Sequence, residues 1–333
     1  MSLLEVSRLK TYYYTDDGVV KAVNDVSFEL KHGECLGIAG ESGCGKSTLA
    51  LSILRLIKPP GRIVEGEVLL DGVSILSLGV DDLRKVRWRK VSLIFQSAMN
   101  ALNPVYTIGA QIVEALTTHL NYSKNESRTT AIALLESTGL PPSAFHMYPH
   151  ELSGGMRQRA LIAMALACNP KMLIADEPTT ALDVVTQAQI LALIKNLQKE
   201  RNLSVIIISH DLSILAQVCD KLAIMYAGKI VEHADVEILF EKPAHPYTSA
   251  LIRSFPSIKG CKRALKELPG QPPSLINPKE NCLFSPRCPF AQPLCFQSQP
   301  EVRQISSGHF VGCHFAEDLR EKLASVGWEE KWQ

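Results

Sequence analysis

Gly40-Glu41-Ser42-Gly43-Cys44-Gly45-Lys46-Ser47 satisfies G-x-x-x-x-G-K-(S/T) at each fixed position. The run follows a short apolar strand predicted over 34–39 and opens a helical pattern over 46–57. That strand–loop–helix setting is what the motif requires. Its glycines let successive N–H groups point into one concave nest, and the helix adds the positive end of its dipole. Lys46 brings a full charge to the outer phosphates, and the Ser47 hydroxyl is placed to ligate Mg²⁺. Cys44 inside the loop predicts a thiol-sensitive site.

Working outward, fully apolar runs at 91–95, 172–175 and 205–208 read as strands buried on both faces of a parallel sheet. Alternation at 23–30 and 63–70 reads as further strands. Helical spacing falls at 108–117, 127–138, 155–167 and 186–199, and the segment 97–165 has almost no strand pattern. The expected architecture is an α/β core with a mixed sheet and a helical arm at 97–165. The run 172–175 ends in Asp176 and Glu177. Asp176 is positioned to hold Mg²⁺, and Glu177 to orient and deprotonate an attacking water. Standing alone, the pair would read as two solvated carboxylates leaving a core.

The 333 residues carry 35 Lys+Arg against 34 Asp+Glu, so no global basic field recruits nucleic acid or anionic lipid. With 46% hydrophobic and 21% charged residues, the composition excludes disordered, collagen-like and coiled-coil classes. No apolar run reaches the ~18 residues of a membrane span. The first ten residues lack a signal-peptide pattern, so a cytosolic chain is expected. Nine cysteines in such a chain should be reduced thiols. Proline becomes dense after Ile230, which disfavours long helices and central strands. There Cys282, Cys288, Cys295 and Cys313 are spaced C-x5-C-x6-C-x17-C. Four thiols in a segment this poor in core point to a metal-closed module at about 268–315, and the spacing leaves iron and zinc both open.

Leu152-Ser153-Gly154-Gly155-Met156-Arg157-Gln158-Arg159 resembles the signature motif of ATP-binding cassette (ABC) ATPases. The rest of that family's series follows in order. Gln96 looks like the Q-loop glutamine, Ala181-Leu182-Asp183 like the D-loop and His210 like the switch histidine. Tyr13, within Tyr12-Tyr13-Tyr14, sits where the family stacks adenine. The resemblance implies an ABC nucleotide-binding domain at 1–238 with a RecA-like part, and an extension at 239–333. It implies ATP contacts from Tyr13, Gly40, Ser42, Gly43, Cys44, Gly45, Lys46, Ser47 and Thr48. A second set comes from Ser153, Gly154, Gly155 and Asp183 of a facing subunit. Mg²⁺ would be held by Ser47, Gln96 and Asp176, with Glu177, His210 and Gln96 catalytic. Taken alone, His210 reads as a packed structural histidine.

The extension resembles the dipeptide/oligopeptide branch of ABC importers. The matching residues are His245-Pro246-Tyr247-Thr248, Pro269-Gly270-Gln271-Pro272-Pro273, Cys282-x-Phe284-x-Pro286-Arg287-Cys288-Pro289 and Gly312-Cys313-His314. That branch implies a [4Fe–4S] cluster on Cys282, Cys288, Cys295 and Cys313, with zinc as the alternative metal. It also implies a second ATPase subunit of different sequence, two transmembrane permeases contacted near 96–106, and an external peptide-binding protein. The chain would then sit peripherally on the cytoplasmic face of the membrane, without nucleic acid. Nickel or another small solute is the competing cargo, and a soluble ABC ATPase the competing class.

Overall fold

The computed structural model describes residues 2–95, 101–254, 268 and 270–324. The chain divides into two compact units. One comprises Met1–Leu3, Leu30–Cys35 and Asp71–Ile208; the other comprises Leu4–Glu29, Leu36–Leu70 and Ser209–Gln333.

In the first unit the strands Val91–Ile94, Met172–Asp176 and Ser204–Ser209 pair in parallel, with Val91 opposite Met172 and Met172 opposite Ser204. The last two are buried at each position, as their unbroken apolar runs predict. The arm follows as the helices Ile108–Leu120, Lys124–Ser137 and Gly154–Ala165, linked by short 3₁₀ turns at Pro142–His146 and Pro149–Glu151. Local chemistry sets its ends. Thr107 caps the first helix and left-handed Asn121 closes it, while Ser123 and Glu126 form a reciprocal capping box on the second. At Gly109 a Cβ would lie 2.4 Å from the Phe145 ring, so glycine is what lets helix and turn close together. Asp183 caps the helix Val184–Arg201.

In the second unit Ser2–Thr15 lies between Gly18–Lys31 and Gly61–Leu70, antiparallel to the latter with Leu4 opposite Leu70 and Tyr13 opposite Gly61. A separate ladder pairs Cys35–Ala39 in parallel with Lys221–Tyr226. That strand turns back through Ala227 and Gly228, both at positive φ, into Lys229–Asp235. The C-terminal extension adds two further strands, His309–Val311 against Lys229–Asp235, then Arg303–Ser306 at the edge. Proline density disfavoured strands here, but the stretch after Pro300 is proline-free and supplies the needed N–H groups. The helices Pro246–Arg253 and Ala316–Ala324 pack through Ala250, Leu319 and Leu323. No described helix is long and apolar enough to cross a membrane.

Candidate functional site

The phosphate-binding loop leaves the fully buried strand Cys35–Ala39 and enters the helix Lys46–Ile53. Gly40, Gly43 and Gly45 stand at φ 154°, 78° and 109°. Two of the three are also pressed against backbone. A Cβ at Gly40 would lie 2.1 Å from the Met225 carbonyl oxygen, and one at Gly45 2.0 Å from that of Ala22. Lys46 is buried, and its Nζ donates to the carbonyls of Gly40 at 2.7 Å and Glu41 at 2.9 Å. Cys44 is buried too. Burial pushes its thiol up in pKa despite the neighbouring ammonium of Lys46. Burial of this kind is unlike the exposed, electropositive settings in which thiols react most readily. Ser47 and Thr48 are half-buried on the first helical turn. In the aromatic cluster, the Tyr12 hydroxyl donates to Asn24 and the Arg62 guanidinium covers the Tyr14 ring. Tyr13 is half-buried with its ring over Gly61.

In the other unit Asp176 ends its strand 5% exposed, which removes the reading of a solvated carboxylate for that residue. Glu177 follows at φ 48°, a left-handed conformation that a glutamate adopts only at a cost of about 1–2 kcal/mol. It is held there by its N–H donating to Ile208 at 2.9 Å and by Thr180 Oγ1 donating to its Oε2 at 2.8 Å. Ser153 caps the signature helix, accepting from the Met156 N–H. That helix begins at Gly154, one residue before the predicted start. A Cβ at Gly155 would lie 2.7 Å from the Thr186 methyl, so the signature glycine admits the helix that Asp183 caps. Asp183 accepts from both the hydroxyl and the N–H of Thr186, which hold its carboxyl below the usual range.

His210 is exposed, which corrects the reading of a packed structural histidine. The next residue, Asp211, donates its N–H to Ser209 Oγ and caps the helix Leu212–Val218. Gln96 lies outside the described residues, as does Cys261.

The four module cysteines come together. Cys282, Cys288, Cys295 and Cys313 line one small cavity of about 10 Å³, walled otherwise by Phe284, Phe290, Phe315 and Leu319 among others. Burial pushes the thiols of Cys288 and Cys313 up to about 12, and each also feels its neighbouring sulfurs. Among the described residues no group of three or more His, Cys, Asp or Glu is arranged to hold a metal ion, so the metal expected on these cysteines is not borne out by the structure.

Two polar links, one part-buried and one fully buried, have no signature in the local sequence. Arg287 makes a bidentate ion pair with Glu41, Nη1 to Oε2 at 2.7 Å and Nη2 to Oε1 at 2.8 Å. Glu232, fully buried, accepts from the N–H groups of Ala244 and His245 and pairs with His309 Nε2 at 2.7 Å. The tripeptide His245-Pro246-Tyr247 was the one available signal. Burial lowers His245 to about 4, and its neutral Nδ1 accepts the Tyr247 N–H at the helix start. The Tyr247 hydroxyl accepts the N–H of Glu41 at 3.0 Å.

Comparison with known proteins agrees with this assembly of motifs. The family model described as "ABC transporter" matches residues 23–180, and "Oligopeptide/dipeptide transporter, C-terminal region" matches residues 231–295. The probable peptide ABC transporter ATP-binding protein y4tR of Sinorhizobium fredii is 48% identical over 315 residues, covering 93% of this chain and 94% of that protein. The dipeptide transport ATP-binding protein DppD of Escherichia coli is 42% identical over 320 residues, covering 96% and 98%. The solved ATP-binding cassette MJ0796, a post-hydrolysis dimer bound to ADP and Pi, superposes with a TM-score of 0.63 at 31% identity, over 70% of this chain and 98% of that one. The chain therefore belongs to the family of peptide ABC transporter ATP-binding proteins and is an ABC-type ATPase.

Proposed function

We propose that the chain is the ATP-hydrolysing subunit of a bacterial importer of dipeptides and oligopeptides. The match of its extension to the oligopeptide/dipeptide C-terminal region, beyond the cassette itself, carries this reading. Residues 1–238 serve as the nucleotide-binding domain and 239–333 as the extension. Val105 and Tyr106, large and exposed beside the Q-loop segment, suit an apolar contact with permease subunits that hold the chain at the cytoplasmic face of the membrane. A second ATPase, a different chain in this reading, completes the pair, and an external binding protein selects the peptide.

The chemistry follows from the side chains. Tyr13 stacks the adenine, while the N–H groups from Gly40 to Thr48 and the Lys46 ammonium take the phosphates. Ser47, Asp176 and Gln96 would hold Mg²⁺, which offsets phosphate charge when bound. The carboxylate of Asp176, almost wholly buried at the end of its strand, and the hydroxyl of Ser47 are oxygen donors of the kind a hard cation takes. Glu177 orients the water and takes its proton, from a left-handed turn just beyond the strand that Asp176 ends. His210 donates to the γ-phosphate. Ser153, Gly154 and Gly155 bring an anion-binding helix start to the ATP of the facing subunit, with Asp183 beside it.

What supports an iron–sulfur reading of the module is its donor set, four cysteines that line one small cavity. Zinc, which four thiolates also bind, is the alternative metal. We assign Cys282, Cys288, Cys295 and Cys313 as ligands of a [4Fe–4S] cluster in a structural role. The four cysteines would hold it as thiolates.

The test is affinity purification of the tagged chain from detergent-solubilised membranes under anaerobic conditions. Two permeases and a second ATPase should co-purify, with ATP hydrolysis stimulated by peptide-loaded binding protein and about four irons per chain. Glu177→Gln should lower turnover by at least ~100-fold and trap an ATP-bound dimer. Ribosomes or DNA in place of permeases would overturn the importer reading. Hydrolysis near the wild-type rate would overturn the role of Glu177, and zinc or metal-free thiols that of the cluster.

A further inference from the structure

Glu41 is the first variable residue of the phosphate-binding loop, and it is held from the C-terminal extension at two separate points. Its N–H donates to the Tyr247 hydroxyl at 3.0 Å, and its carboxylate is clasped by both terminal nitrogens of Arg287. The Arg287 side chain is 5% exposed and that of Glu41 22%, so water screens the pair little. Inside the loop, the carbonyls of Gly40 and Glu41 receive the Lys46 ammonium. The residue that positions the phosphate-binding lysine is thus the one whose backbone and side chain the extension grips.

The gripping groups are themselves fixed by the cysteine module. Arg287 closes the short turn Ser285–Arg287 between Cys282 and Cys288, and its guanidinium also reaches the Tyr226 hydroxyl at 3.4 Å. Phe284, from the same turn, is 2% exposed and packs against Tyr226, Tyr247 and His245. Displacing the turn moves Arg287, Phe284 and the Tyr247 ring together, because interiors this close-packed transmit strain.

We propose that Arg287 is a positioning residue for the phosphate-binding loop, through which the folded state of the cysteine module sets the affinity for nucleotide. The proposal rests on the ATP reading of that loop. A mere staple for the extension would hold the chain together without changing nucleotide affinity; a positioning contact changes it, and does so through Glu41.

The experiment is titration of full-length protein with N-methylanthraniloyl-ADP and Mg²⁺. Wild type would be compared with Arg287→Met, Glu41→Gln and the double variant. Each single change should weaken Kd by about fivefold or more, and the double should be no weaker than the worse single, since both remove one contact. Arg287→Lys should recover only part of the loss, because an ammonium cannot make the two-pronged pair. Should Arg287→Met not fold, Tyr247→Phe, which deletes only the oxygen that accepts the Glu41 N–H, should by itself weaken Kd. Unchanged Kd in the folded single variants, or a double equal to the product of the singles, would overturn the proposal. Failure of the ATP reading looks different: wild type would then not bind the probe, or Lys46→Ala would bind it as wild type does.

Discussion

The phosphate-binding loop and the cysteine module that abuts it are specified by opposite means. The loop is written in eight consecutive residues, and its shape is a matter of backbone: three glycines at positive φ, two of them pressed to within about 2 Å of a carbonyl by any added Cβ. The module draws its order from residues far apart in the chain. Arg287 meets Glu41 across 246 positions, His309 meets Glu232 across 77, and four cysteines collect from a span of thirty-two residues. Backbone shape can be read locally and tolerates change in the side chains around it. A structure assembled from distant polar pairs cannot be read locally, and it fails when one partner is lost.

The sharpest way to break that contrast is at Glu232. Its carboxylate is fully buried and receives Ala244 N–H at 2.7 Å, His245 N–H at 3.0 Å and His309 Nε2 at 2.7 Å. Glu232→Ala leaves three buried donors unanswered and opens a void, so it should cost about 3–5 kcal/mol of unfolding free energy. Glu232→Gln keeps one acceptor oxygen but turns an NH₂ toward a donor, and should cost roughly 1–3 kcal/mol. Urea unfolding followed by circular dichroism measures both. If Glu232→Ala unfolds within about 1 kcal/mol of wild type, the distant polar links are ornamental and the contrast collapses.

Much of the core was legible because burial writes itself as composition. The unbroken branched runs at 172–175 and 205–208 became parallel strands buried at each position. The glycine loop was legible because its rule is local, and the helical arm because its caps, such as Ser123 with Glu126, are local too. His210 shows where isolated residues mislead: judged alone it reads as packed, yet it stands exposed between a buried strand and a capped helix. The burial of Cys44 was not legible for a related reason, since it is decided by the chain around the loop and not by its neighbours in sequence. The strand His309–Val311 carries no strong alternation and owes its place to the edge that Lys229–Asp235 offers. Nothing adjacent to Arg287 points to Glu41, because the pairing exists only once both are folded.

The smaller and finer test lies within the loop, where three glycines look alike in sequence and differ in structure. Gly45→Ala puts a methyl 2.0 Å from the Ala22 carbonyl oxygen and 2.8 Å from the Met225 methyl, at φ 109°. Backbone must shift to admit it, and the nest it shapes should lose about a hundredfold in Mg-nucleotide affinity, some 2.8 kcal/mol. Gly43 has the same requirement for positive φ, 78°, but open space where its Cβ would stand. There the only cost is the left-handed conformation, about 1–2 kcal/mol of stability, and affinity should fall by less than about tenfold. Titrating both variants with a fluorescent nucleotide ranks them. Equal losses would mean that backbone angle alone shapes the loop; a tenfold gap means that it is the walls supplied by Ala22 and Met225, residues outside the motif, that make one glycine indispensable and the other merely preferred.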